Sequence, residues 1–100
     1  MKPPLPLSDQ QITSALAALP AWRRDGETLT RTYVLPSFLE ALAFMQDCAA
    51  EIERLNHHPE WTNCYNRLTI TLSTHDAGDR ITALDVELAK HLEWVSTRFQ

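Results

Sequence analysis

Glycine is scarce in this chain, with two residues in one hundred. That excludes glycine-driven fibrous repeats and flexible glycine-rich linkers, and 44% apolar with 22% charged residues is the composition of a folded globular domain. Basic clusters are also missing. Nine Lys and Arg stand against thirteen Asp and Glu, a net charge of −4, so a phosphate backbone is repelled and direct nucleic-acid binding is not expected. No apolar run reaches the roughly 20 residues of a membrane-spanning helix, so no membrane partner is expected. The opening "MKPPLPLS" has three prolines and no apolar core, so it is not expected to be a signal peptide. Residues 1–7 read as an extended N-terminal arm and residues 8–100 as a single domain. Cys48 and Cys64 lie outside any CxxC pair and read as ordinary buried thiols in a reducing cytoplasm, with no support for a disulfide.

Hydroxyl residues are placed to begin three helices. Ser8-x-x-Gln11, Ser37-x-x-Glu40 and Thr82-x-x-Asp85 each put an N-cap hydroxyl three residues before an acceptor and open an apolar-periodic run. The third is expected to be the weakest box, since Asp replaces Glu or Gln. Helix 1 is expected over residues 9–19, presenting Ile12, Ala15, Leu16 and Leu19. Asp25-Gly26 marks a hairpin turn. Helix 2 is expected from Phe38 to Leu55 with a core stripe of Phe38, Leu42, Met45, Ala49 and Ile52. A second hairpin follows, with Trp61 to Tyr65 as one arm, Asn66-Arg67 as the turn and Leu68 to Thr74 as the other arm. There Leu68, Ile70 and Leu72 alternate with Thr69, Thr71 and Ser73, the period of a half-buried strand. Helix 3 is expected over residues 83–98, burying Leu84, Leu88, Leu92 and Val95. The order αββαββα predicts a two-layer α+β fold: a four-stranded antiparallel sheet with three helices on one face and an open Thr-rich face.

Three of the four histidines fall within Glu51–His75. Glu53 lies on the last turn of helix 2, His57 and His58 follow it, and Pro59 holds His58 extended. If the second hairpin is tight, the end of its outgoing arm returns His75 to the His57-His58 loop. Three readings compete. The histidines can be solvated loop residues. They can, with Glu53, ligate zinc or iron(II), although neighbouring side chains in an extended segment diverge and no H-x-H or HExxH spacing occurs. Or they can perform general acid–base chemistry, since an imidazole of ordinary pKa about 6.5 both gives and takes a proton near neutrality. Histidines around one pocket that protonate a leaving group and deprotonate a neighbouring atom would carry out a dehydration.

The pattern Glu53-x-x-x-His57-His58-Pro59-x-Trp61-x-x-x-Tyr65, then "LSTH" ending at His75 and an Asp at the start of the last helix, resembles the pterin-4a-carbinolamine dehydratase family. The resemblance implies loss of water from a 4a-hydroxytetrahydropterin to give the quinonoid dihydropterin, which recycles the cofactor of aromatic amino acid hydroxylases. It implies no metal, no organic cofactor and a homodimer or homotetramer. Carried over residue by residue, it makes His57 and His75 the principal acid–base pair, with His58 orienting the pterin and assisting proton transfer. Glu53 would orient a histidine or anchor the amino-pyrimidine edge. Asp85 matches the helix-start Asp and also completes a capping box. Trp61 would form a flat pocket wall, or pack under the hairpin.

The chain departs from the family in "HDAGDRITALD", which is about one residue longer than usual and has Asp79-Arg80-Ile81 where Gly-Leu is common, and in Asn56 where Asp can stand. Some family members are dimerisation partners of transcription factors, so an interaction module without turnover stands as the alternative function. A second helix 2 stripe of Leu39, Ala43 and Ala50, with Phe44 on a third line, makes the apolar arc wider than one buried face needs and points first to self-association.

Overall fold

Each of the three hydroxyl caps begins a helix. The computed structural model describes residues 4–99, with α1 (Asp9–Ala17), β1 (Arg23–Asp25), β2 (Thr28–Val34), α2 (Phe38–Leu55), β3 (Glu60–Cys64), β4 (Arg67–Leu72) and α3 (Ala83–Ser96). One-turn 3₁₀ helices lie at His75–Ala77 and Thr97–Phe99. The four strands form one antiparallel sheet in the order β1-β2-β4-β3, the α+β arrangement expected from the sequence. Residues 1–3 of the expected arm lie outside the described residues. At the end of the arm, the Leu7 amide donates to the Ile81 carbonyl at 2.8 Å.

The box at Ser8 is complete. Ser37 accepts only from the Glu40 amide, and the Thr82–Asp85 box, expected to be the weakest, is complete as well. Gly26 takes φ +59 in the first hairpin, where a side chain would be strained. The second turn falls one residue earlier than expected, at Tyr65-Asn66, because Cys64 pairs directly with Arg67. Tyr65 takes φ +54. The Asn63 amide donates across the turn to the Tyr65 and Arg67 carbonyls at 3.1 and 2.9 Å, while Asn66 is used elsewhere, donating to the Leu35 carbonyl at 2.9 Å.

Alternation along β2 and β4 sends Leu29, Tyr33, Leu68, Ile70 and Leu72 into the core beneath the helices. Thr32 and Thr69 pair their hydroxyls at 2.9 Å on the open face. Glu93 of α3 ties the first hairpin to the helix layer, accepting from Trp22 Nε1 at 2.8 Å, from the Tyr33 hydroxyl at 2.9 Å and from the Arg31 guanidinium.

The core stripe of α2 differs from expectation. Ala41, Phe44, Cys48 and Ile52 are buried, whereas Phe38 and Leu42 are 43% and 42% exposed and Ala49 is exposed too. Both stripes step by three and four and meet at Ile52. The burial of Phe44 decides between them, because its ring packs 4.9 Å from Tyr33 and 5.8 Å from Phe99, two aromatic contacts that periodicity does not reveal. Cys64 also corrects the sequence reading. It is an exposed free thiol at the end of edge strand β3, while Cys48 is free and buried.

Burial, with the Asp47 carboxylate nearby, pushes the Cys48 thiol from 9.0 up to about 12, and burial also raises the Tyr33 hydroxyl. Both groups keep their protons in the folded chain at a pH where the unfolded chain would lose them. Their contribution to stability is therefore complete below about pH 9 and lost as pH rises through about 9–12. The urea midpoint should be lower at pH 10.5 than at pH 8, and a flat profile would contradict the burial of these groups.

Candidate active site

The end of α2 separates the two adjacent histidines. Asn56 adopts the left-handed conformation at φ 48, ψ 45 and donates to the Glu53 carbonyl at 3.1 Å. The His57 amide reaches back to the Ile52 carbonyl at 3.2 Å, which completes a Schellman-type stop. Asparagine tolerates this conformation better than most side-chain-bearing residues. The chain reverses sharply, so His57 turns inward at 7% exposure while His58 points to solvent.

Beneath His57 lies a buried polar network. Its Nε2 is 2.6 Å from Asp85 Oδ1. Asp85 Oδ2 accepts from the Thr82 amide and from the Thr74 hydroxyl, each at 2.8 Å. Thr74 and Thr82 hydroxyls are 2.6 Å apart, and Thr82 Oγ1 accepts from the Leu84 amide at 3.2 Å. Asp85 and Thr82 are fully buried and Thr74 is 3% exposed. Counting donors assigns the protons. The single Thr74 proton goes to Asp85, so Thr82 donates to Thr74. With Asp85 ionised, its third bond comes from His57 Nε2–H. In neutral His57 the free lone pair is therefore on Nδ1. No buried side-chain nitrogen or oxygen among the described residues lacks a partner. Among the described residues, none is hydrogen-bonded to His57 Nδ1.

The other two histidines meet on the open face of the sheet, where β4 runs out and β3 begins. A cleft of about 430 Å³ is lined by Thr28, His58, Glu60, Thr71, Ser73, His75 and Asp79, a volume within the range of small-molecule sites. The tight second hairpin thus returns His75 to the histidine loop, as expected. His75 opens the 3₁₀ turn, with Gly78 at φ 76 and Asp79 at φ 60 folding the longer loop back. That fold sets Asp79 Oδ1 3.1 Å from His75 Nδ1. Glu53 reaches His58 Nε2 at 3.0 Å. Each histidine of the cluster is thus paired with a carboxylate, buried for His57 and exposed for His58 and His75.

Trp61 does not line this cleft. With Ala49, Ile52, Glu53, His58 and Pro59 it walls an adjoining, largely apolar niche of about 270 Å³ on the other side of His58. Asp85, expected among the substrate-binding residues, is enclosed by His57, Thr74 and Thr82 and has no face open to a ligand. His57 is not brought into the cleft beside His75. Among the described residues, no group of three or more His, Cys, Asp or Glu is arranged to hold a metal ion. Sequence reasoning passed over Thr74, although a signal was present. Thr74 continues the buried parity of Leu68, Ile70 and Leu72, and a hydroxyl on a core face needs a partner.

A family model described as pterin 4 alpha carbinolamine dehydratase matches residues 5–95. A relative from Opitutus terrae is 47% identical over 93 residues, covering 93% of this chain and 96% of its own. One from Solibacter usitatus is 49% identical over 87 residues, covering 87% and 90%. Both carry names that provisionally assign them as pterin-4-alpha-carbinolamine dehydratases. The crystal structure of a transcriptional coactivator/pterin dehydratase from Brucella melitensis superposes with a TM-score of 0.85 at 36% identity, covering 90% of this chain and 97% of that one. By sequence and by fold, this chain belongs to the pterin 4 alpha carbinolamine dehydratase family.

Proposed function

We propose that the chain is a hydro-lyase that converts a 4a-hydroxytetrahydropterin to the quinonoid dihydropterin in tetrahydropterin recycling, using histidine acid–base catalysis and no cofactor. The observation that carries the proposal is the cleft in which His58 and His75 face one space of ligand size, each beside a carboxylate. One imidazolium protonates the 4a-hydroxyl, and the C4a–O bond breaks as water leaves. The adjacent ring nitrogen closes the C=N bond while a neutral imidazole takes its proton. The protein's proton count is unchanged, and His75, 92% exposed in its side chain, resets through solvent. His57, His58 and His75 are the catalytic residues of this reading. Asp85 holds the His57 ring, Glu53 orients His58, and Trp61 offers a flat apolar wall to a substrate edge that extends past His58.

Purified protein should accelerate dehydration of a 4a-hydroxytetrahydropterin, followed by the absorbance of the quinonoid product, and dialysis against EDTA should leave the rate unchanged. A rate equal to the uncatalysed reaction would overturn the proposal. Loss of activity with EDTA would restore the metal reading.

Self-association is part of the same reading. Leu39 is 74% exposed, with Phe38 and Leu42 beside it on α2, an apolar surface for a 100-residue chain to leave wet. Ala43 is exposed on the same helix, where a small side chain lets a second helix approach. A homodimer or homotetramer covers this face. Ala43→Glu or Leu39→Glu should lower the sedimenting mass by one assembly step with helix content unchanged. A wild type that sediments as a monomer at micromolar concentration would refute it.

The coactivator half of the Brucella melitensis protein's name favours a second reading, in which this face receives a different protein. A stable heterologous complex formed without turnover would support that one.

A further inference from the structure

Thr74 stands where the two halves of the site meet. Its side chain reaches Asp85, the carboxylate behind His57, at 2.8 Å. Its backbone anchors the loop that presents His75. The Thr74 amide donates to the Arg80 carbonyl at 2.8 Å, and the Thr74 carbonyl accepts from the Ala77 and Asp79 amides, each at 3.1 Å. Thr82 lies one hydroxyl further along, and as N-cap of α3 it has its own oxygen engaged by the Leu84 amide. With every donor assigned, the bonds run one way, from Leu84 N–H through the hydroxyls of Thr82 and Thr74 to Asp85 Oδ2. A carboxylate that already accepts from Thr74 and from the Thr82 amide has Oδ1 left for an N–H donor, and His57 supplies it.

We infer that Thr74 and Thr82 are positioning residues: their hydroxyl chain fixes Asp85 as an acceptor, locks His57 in the Nε2–H tautomer with Nδ1 as its working atom, and ties the His75 loop to the same carboxylate. The inference deepens the dehydratase reading and its kinetic part rests on it. Neither threonine lines the cleft, so their loss acts on proton transfer and not on substrate binding. A purely structural hydroxyl would affect stability and leave the His57 ring state alone.

The test has two arms. In ¹⁵N-labelled wild type, long-range ¹H–¹⁵N spectra at a pH where the ring is neutral should show His57 protonated at Nε2, with its N–H protected from exchange. A Nδ1–H tautomer would overturn the inference, whether or not the chain is a dehydratase. In the second arm, Thr74→Val keeps the shape and removes the proton that Asp85 accepts. The expected results are a kcat lower by about 10- to 100-fold, a KM within about twofold and faster exchange of the His57 Nε2–H signal, with Thr74→Ser restoring all three. Unchanged kcat and an unchanged ring signal in Thr74→Val would overturn the positioning role. If Thr74→Val does not fold, the wild-type tautomer and the Thr74→Ser values decide alone, because a serine variant with its hydroxyl intact but a lost Nε2–H signal contradicts the chain. Absence of dehydration in the wild type would remove the dehydratase reading and leave the tautomer result standing.

Discussion

Alanine at His57 or at His75 should lower the proposed dehydration rate by roughly 10²–10⁴-fold, the contribution of a positioned acid or base. The two variants differ in what else they disturb. The His75 side chain is 92% exposed, so its removal leaves urea stability unchanged and the loss of rate is catalytic. His57 is 7% exposed and donates to a carboxylate with no solvent access. Its truncation leaves that anion one donor short and costs about 1–3 kcal/mol in addition to the rate. His58→Ala removes a cleft wall as well as an imidazole, so KM rises while kcat falls. Steady-state kinetics and urea unfolding of the three variants check the assignment together. Near-normal turnover in both the His57 and His75 variants would end it, and a His75 variant that fails to fold would contradict its surface position.

Phe44→Ala should cost about 3–5 kcal/mol of folding stability, the range for a fully buried aromatic side chain that cannot be replaced by collapse of its neighbours. Phe44 has no exposed surface and packs against Tyr33 and Phe99, so its truncation leaves a cavity in the core. Leu42→Ala, made on the same helix at a 42% exposed position, should cost less than about 1 kcal/mol at a concentration where the chain does not self-associate. Equilibrium urea unfolding of the pair decides which stripe of α2 faces the sheet. If Leu42→Ala proves the more damaging, the helix is rotated toward the stripe read from the sequence.

The outcome on α2 shows where one-dimensional information runs out. Its length and cap were legible because Ser37, the apolar period and Asn56 act on the nearest few residues. Its rotation was not, since two overlapping stripes satisfy the same period and only the location of Tyr33 and Phe99, more than ten and fifty residues away in the chain, distinguishes them. The turn of the second hairpin slipped by one for a related reason. Asn66 is in the turn as expected, but Arg67 pairs with Cys64 as the first residue of β4, and Tyr65, which carries no turn signal, takes the other turn position at φ +54.

The same division runs through the site. By itself the sequence determined the order of elements, the open hydroxyl face, and the presence of three histidines, with His58 and His75 at one end of the second hairpin, because strand alternation and helix capping are local and periodic. Tertiary structure decided which histidines face the cleft and which is sheltered. A Schellman-type turn at Asn56 aims adjacent imidazoles to opposite sides, and the packing of α3 brings Asp85 to His57 from 28 residues away. It also gave Asp85 two tasks at once, with one oxygen on a helix cap and the other on an imidazole. A capping box can be read from three-residue spacing. A buried anion's third donor depends on which distant side chain is close enough to supply a proton where water cannot.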